Sequence, residues 1–144
     1  MTTSAGADAV CGAGSPERQP RYSRPSTTTA LRIEIPAGVS IANPQPKPGW
    51  DLSVERATGA PHTITAIVWT GGLPADRFDE FLILTKLPSA AGPLAFPAIQ
   101  SCGAKQNRWV EIPTPALARP SHPAPRMTLT SPTPAPEAGH DHHN

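Results

Sequence analysis

From Thr27 the chain alternates apolar and polar positions in short runs. Leu31, Ile33 and Ile35 alternate with Arg32 and Glu34, which predicts a half-buried strand ended by Pro36 and Gly38. Val39 and Ile41 continue as a short extended piece, and Asn43 to Pro48 reads as a proline-stiffened connection. Trp50, Leu52 and Val54 alternate with Asp51, Ser53 and Glu55 as the next strand. A hairpin loop follows at Ala57 to Pro61, punctuated by Thr58, Gly59 and Pro61.

His62 to Thr70 is rich in β-branched residues and reads as a long strand. Gly71 and Gly72 are expected to stop that strand by allowing positive φ. Phe78 to Leu87, Leu94 to Gln100, Arg108 to Ile112 and Met127 to Thr130 complete the series, with a polar turn expected at Gly103 to Asn107. Short strands separated by turn signals, with no helical period, predict an all-β fold: an antiparallel β-sandwich, immunoglobulin-like or cupredoxin-like. Residues 1–26 carry neither period and read as a disordered or loosely attached segment. Residues 27–130 form the domain, and 131–144 are a Pro/Ala/His-rich tail.

Composition sharpens this division. Most of the chain's 20 prolines crowd into residues 16–48 and 113–136, leaving the centre freer to pair. A net charge of +1, with 16 % charged residues and no basic cluster, gives no handle for nucleic acid or an anionic membrane surface. No apolar run is long enough for membrane insertion, and residues 1–22 lack the apolar stretch of a secretory signal. Taken literally, such a chain stays in the cytoplasm.

Candidate chemistry is sparse. Asp79 and Glu80 are adjacent, so in a strand they point to opposite faces and cannot act together as acid and base. No nucleophile–base set or phosphate loop is present, so an enzyme is not expected. The C-terminal Gly139-His140-Asp141-His142-His143 offers three imidazoles within four residues, which can ligate Cu(II), Zn(II) or Ni(II) without preorganised geometry. An incidental polar tail is the alternative. His122, ahead of Pro123, reads as a loop residue and not a ligand. The immunoglobulin pattern of two cysteines bracketing a tryptophan is only superficially present in Cys11 and Cys102; Cys11 lies outside the patterned region, so a bridge between them is not expected.

Six segments, in order, resemble the YcnI-like copper-binding domain family: TTALRIEIPAGV (Thr28–Val39), PKPGWDL (Pro46–Leu52), IVWTGGLPADRFDEF (Ile67–Phe81), GPLAFPAIQSC (Gly92–Cys102), RWVEIP (Arg108–Pro113) and HPAPRMTLT (His122–Thr130). The resemblance implies Cu(II) binding in the periplasm or outside the cell, with copper chaperone or transport proteins as partners. It implies a site built from a chain-start histidine, whose α-amine and imidazole chelate the metal, a glutamate from an early strand, and a tryptophan in the segment matching RWVEIP. Amine and imidazole nitrogens suit Cu(II).

Only the tryptophan carries over, as Trp109, for which an inward-facing core position is an equal alternative. The chain opens Met1-Thr2-Thr3, its first histidine is His62, and no early glutamate is assignable. Residues 1–26 are therefore expected not to be family sequence, through a misassigned start, a frame error or a genuine loss. Some relatives, the resemblance implies, pair a cysteine shortly before the TT segment with the position of Cys102. Here Arg24, Pro25 and Ser26 stand there, leaving Cys102 without that partner. The expected function is copper buffering or delivery; a β-sandwich interaction module without its own metal is the alternative.

Overall fold

The computed structural model describes the backbone of residues 2–6 and, in full, residues 26–131. Among the described residues ten strands are formed: β1 (Thr2–Gly6), β2 (Thr28–Glu34), β3 (Ile41–Pro44), β4 (Asp51–Ala57), β5 (Ala60–Leu73), β6 (Glu80–Lys86), β7 (Gly92–Ala95), β8 (Ala98–Cys102), β9 (Lys105–Trp109) and β10 (Arg126–Leu129). All pairings between them are antiparallel, in a five-stranded sheet of order β4-β5-β2-β8-β9, a three-stranded sheet β1-β6-β3 and the pair β10-β7.

Alternation decides what faces inward. Val54, Ile67, Ile33, Ala98 and Trp109 are successive cross-strand partners and line one row of the five-stranded sheet's inner face. Leu52, Trp69, Leu31, Gln100 and Asn107 form the row beside it. Ala42, Phe81 and Ile83 from the three-stranded sheet meet them, with Leu94 and Phe96. The result is an all-β antiparallel sandwich whose core holds Trp69, Phe81 and Ile67 as its largest fully buried side chains.

Four expectations need correction. Gly71 and Gly72 do not stop a strand: β5 runs through them to Leu73, and neither is among the glycines with positive φ. Gly71 is required for space, because a Cβ there would lie 2.6 Å from Cδ2 of the Trp50 ring. The run Leu94 to Gln100 is two strands. Pro97 has no N–H to give a ladder, and at this point the chain changes sheets: the Phe96 N–H bonds to the Pro125 carbonyl on the β10 side, while the Glu34 N–H of β2 bonds to the Pro97 carbonyl.

The polar turn at 103–107 is shorter than expected. Gly103, with φ +63°, turns the chain, and β9 begins at Lys105 and ends at Trp109. Finally, residues 2–6, assigned to a segment without structure, pair with β6 as β1. Thr-Thr-Ser-Ala-Gly has no hydrophobic alternation to reveal this. The pairing is made by main-chain groups, which any edge strand offers.

Candidate functional site

Two constellations collect the motif residues, and they differ in what their polar groups do. The first lies where PKPGWDL meets the segments around Gly71 and Phe81. Gly49, at φ +77°, completes a turn in which the Trp50 N–H bonds to the Lys47 carbonyl, and this delivers the Trp50 ring against the face of Gly71. Trp50 meets Phe81 edge-on at 5.0 Å between centroids, and Trp69 meets the same ring at 5.3 Å. The indole N–H of Trp69 donates to the Gln45 carbonyl at 3.0 Å.

Lys47 lies over the Phe81 ring at 5.0 Å. Its Nζ donates to Asp79 Oδ1 and to the Glu80 carbonyl, both at 2.6 Å. With the Lys47 side chain only 13 % exposed, the Asp79 carboxylate serves as its counter-ion. The Lys47 ammonium and the Trp69 N–H are both engaged within the fold, so this cluster is scaffold. The Asp79–Glu80 pair has no acid–base arrangement to offer.

The second constellation is at the free edge of β9. Trp109 is half-buried and packs against the core, yet as the last residue of an edge strand its indole is also reachable from the flank. The connection from β9 to β10 returns across it. Glu111 ties this connection down at three points: its N–H bonds to the His122 carbonyl at 3.1 Å, its carbonyl accepts from the Ala124 N–H at 2.9 Å, and its Oε2 accepts from the His122 N–H at 2.7 Å. Ala124 is buried, which anchors the far side. The His122 ring is thereby set over the Trp109 indole, 5.2 Å between centroids at 60°.

Trp109 is thus both the inward-packed tryptophan and the neighbour of an exposed imidazole and a carboxylate. The sequence does not join His122 to Glu111, because they lie eleven positions apart in irregular chain. The local signals are an acidic residue two positions after the tryptophan and a His-Pro pair before the last strand. His140, His142 and His143 lie outside the described residues. Among the described residues no group of three or more His, Cys, Asp or Glu side chains is placed to hold a metal ion. Cys102, on the inner side of β8, is buried and disulfide-bonded. This corrects the expectation that it has no partner; the chain's one other cysteine, Cys11, lies outside the described residues.

A further charged pair sits on the outer face of the five-stranded sheet. Arg32 holds the Glu55 carboxylate through both terminal nitrogens, one of them at 2.8 Å. That hydrogen bonding raises the Arg32 pKa and holds Glu55 below its ordinary value. Neighbouring Ser53 and Val68 offer nothing a ligand would need there.

Comparison with known proteins gives a family-model match over residues 18–129, to a domain of unknown function, DUF1775. The chain belongs to the DUF1775 family. Its sandwich is similar to a solved structure, that of an uncharacterized protein from Nocardia farcinica whose crystal structure reveals an immunoglobulin-like fold. The two are 29 % identical, and the match covers 78 % of this chain and 83 % of that one with a TM-score of 0.62. No curated protein matches this DUF1775 chain. Among the described residues there is no helix long and apolar enough to cross a membrane.

Proposed function

We propose that this DUF1775 domain is an extracytoplasmic copper(II)-binding protein that buffers or delivers copper. One observation carries the reading. Trp109, in the segment resembling the copper family's tryptophan motif, has the exposed imidazole of His122 at 5.2 Å, and Glu111 bonds to the same residue. Imidazole and carboxylate are donors that Cu(II) accepts, and an indole beside them limits water access. The disulfide at Cys102 supports an oxidising compartment.

Two side-chain donors fall short of a closed coordination sphere. That suits a cargo ion that must be passed on. Partners of the copper chaperone or transport kind would then receive it. The test is Cu(II) titration of the purified chain, with and without residues 139–144, followed by tryptophan fluorescence. Binding that survives the deletion supports a site on the sandwich, and binding that vanishes with it assigns copper to His140, His142 and His143.

A second reading, an interaction module without its own metal, draws on the three-stranded sheet. Ile41 of β3 and Leu84 of β6 are exposed on it, and Phe78 just ahead of β6 is 83 % exposed. Absence of copper binding in both proteins would favour this reading.

A further inference from the structure

We infer that a disulfide between Cys11 and Cys102 is a redox latch for β1. Oxidised, it holds Thr2–Gly6 on the edge of β6; reduced, it lets that strand go. The chain has two cysteines, neither is free, and Cys102 is disulfide-bonded, so each is the other's partner. The latch stands apart from the copper reading and does not need it.

β1 has little else to hold it. Among the described residues it pairs with β6 and with no other strand. Thr-Thr-Ser-Ala-Gly brings no large apolar side chain to that pairing, so main-chain bonds have to offset the entropy of ordering the segment. The tether then decides how firmly β1 is docked. Cys11 follows Gly6 by five positions, whereas Thr28, where β2 begins, follows it by twenty-two. Cys102 belongs to β8 of the five-stranded sheet, so the bond ties the short tether to a fixed point of the sandwich. Effective concentration falls roughly as the −3/2 power of tether length, and opening the bond lowers it roughly tenfold. Opening is a two-electron step. A dithiol attacks the S–S bond as a thiolate and leaves, through a mixed disulfide, as its own cyclic disulfide. Its two electrons and two protons end on the Cys11 and Cys102 thiols.

The ladder supplies the readout. The Gln45 N–H bonds to the Leu82 carbonyl, on the β3 side of β6. Successive residues of an antiparallel strand address opposite neighbours in turn. Phe81 and Ile83, opposite Ala5 and Thr3, therefore address β1, while Leu84 addresses Asn43 of β3. The experiment is amide hydrogen exchange by NMR on the oxidised chain, on the chain reduced with dithiothreitol and on Cys11→Ser. Each is measured with and without residues 2–6. The ratio of exchange rates without and with these residues, at Phe81 and Ile83, is the docking constant of β1.

That constant should fall roughly tenfold on reduction and equally in Cys11→Ser. The same ratio at Leu84 should stay near one in every state, because general loosening of the sandwich cancels from it. Alkylation and mass spectrometry should find no free thiol in the oxidised chain. A docking constant unmoved by reduction overturns the latch, as does a fall shared by Leu84. Free thiols in the oxidised chain, or no excess protection there at Phe81 and Ile83, overturn it as well.

Discussion

Gly71→Ala tests why the TGG segment is needed. The added Cβ would sit 2.6 Å and 2.7 Å from Cδ2 and Cε3 of Trp50, and 3.0 Å from the Gly49 carbonyl oxygen. Ordinary carbon contacts lie at about 3.5–4.0 Å, so the indole must retreat by about 1 Å. It has little freedom to do so. The Lys47–Trp50 turn fixes its backbone, and Phe81 meets its ring at 5.0 Å. Overpacking costs about 1–3 kcal/mol, and weakening the aromatic pair adds about 0.5–1 kcal/mol. A loss of about 2–4 kcal/mol follows, measured by urea unfolding at equilibrium.

Gly49→Ala is the control. It has open space around it but a φ of +77°, so it should cost about 1–2 kcal/mol through the backbone alone. Trp50→Leu introduced beside Gly71→Ala should relieve the clash, making the double variant less unstable than the sum of the singles. Stability of Gly71→Ala within about 0.5 kcal/mol of the parent, or strict additivity with Trp50→Leu, would refute the steric explanation.

Three further outcomes follow from named contacts. Asp79→Ala leaves the Lys47 ammonium, 13 % exposed, with only the Glu80 carbonyl and the Phe81 ring; it should cost about 1–3 kcal/mol in urea unfolding, and adding Lys47→Met should recover part of that. Thr85 Oγ1 is buried without a hydrogen-bond partner, so Thr85→Val should be neutral or raise the thermal midpoint, and a clear fall would reveal a contact the hydroxyl makes. Glu55 is held below its ordinary pKa by Arg32; the pair therefore adds stability above the unfolded carboxyl pKa and loses it as pH drops through the lower folded value. In a carbon NMR titration its midpoint should lie below the ordinary carboxylate value and return upward in Arg32→Gln, whereas a midpoint unmoved by that substitution would count against the pairing.

Much of the scaffold could be read in the chain because inward and outward faces obey a period of two. Leu31 and Ile33, Leu52 and Val54, and Ile67 and Trp69 all point inward as their alternation requires. Misreadings occurred where a residue's role depends on a distant neighbour. Gly71 resembles a strand terminator until Trp50 is seen against it. Pro97 interrupts one apparent strand because the two halves belong to different sheets. β1 has no side-chain pattern to read. At the site, Trp109 was visible through its motif, but His122 reached it through a fold of irregular chain with no periodicity, and Cys102 was bonded although Cys11 lay outside the patterned region.

The segments that carry the family resemblance therefore divide by what remains of their polar capacity after folding. Around Phe81, the fold takes up what these segments present. Lys47 is neutralised by Asp79, the Trp69 N–H is bonded to Gln45, and Gly71 is covered by Trp50. Substitution there should act through stability. At the β9 edge, hydrogen bonds also run through Glu111, but they stop short of the His122 ring nitrogens and of one carboxylate oxygen. Polar groups held in place yet left open are what a ligand site requires. For that reason the flank where RWVEIP meets HPAP, and not the better-packed aromatic cluster, is where binding should be sought first.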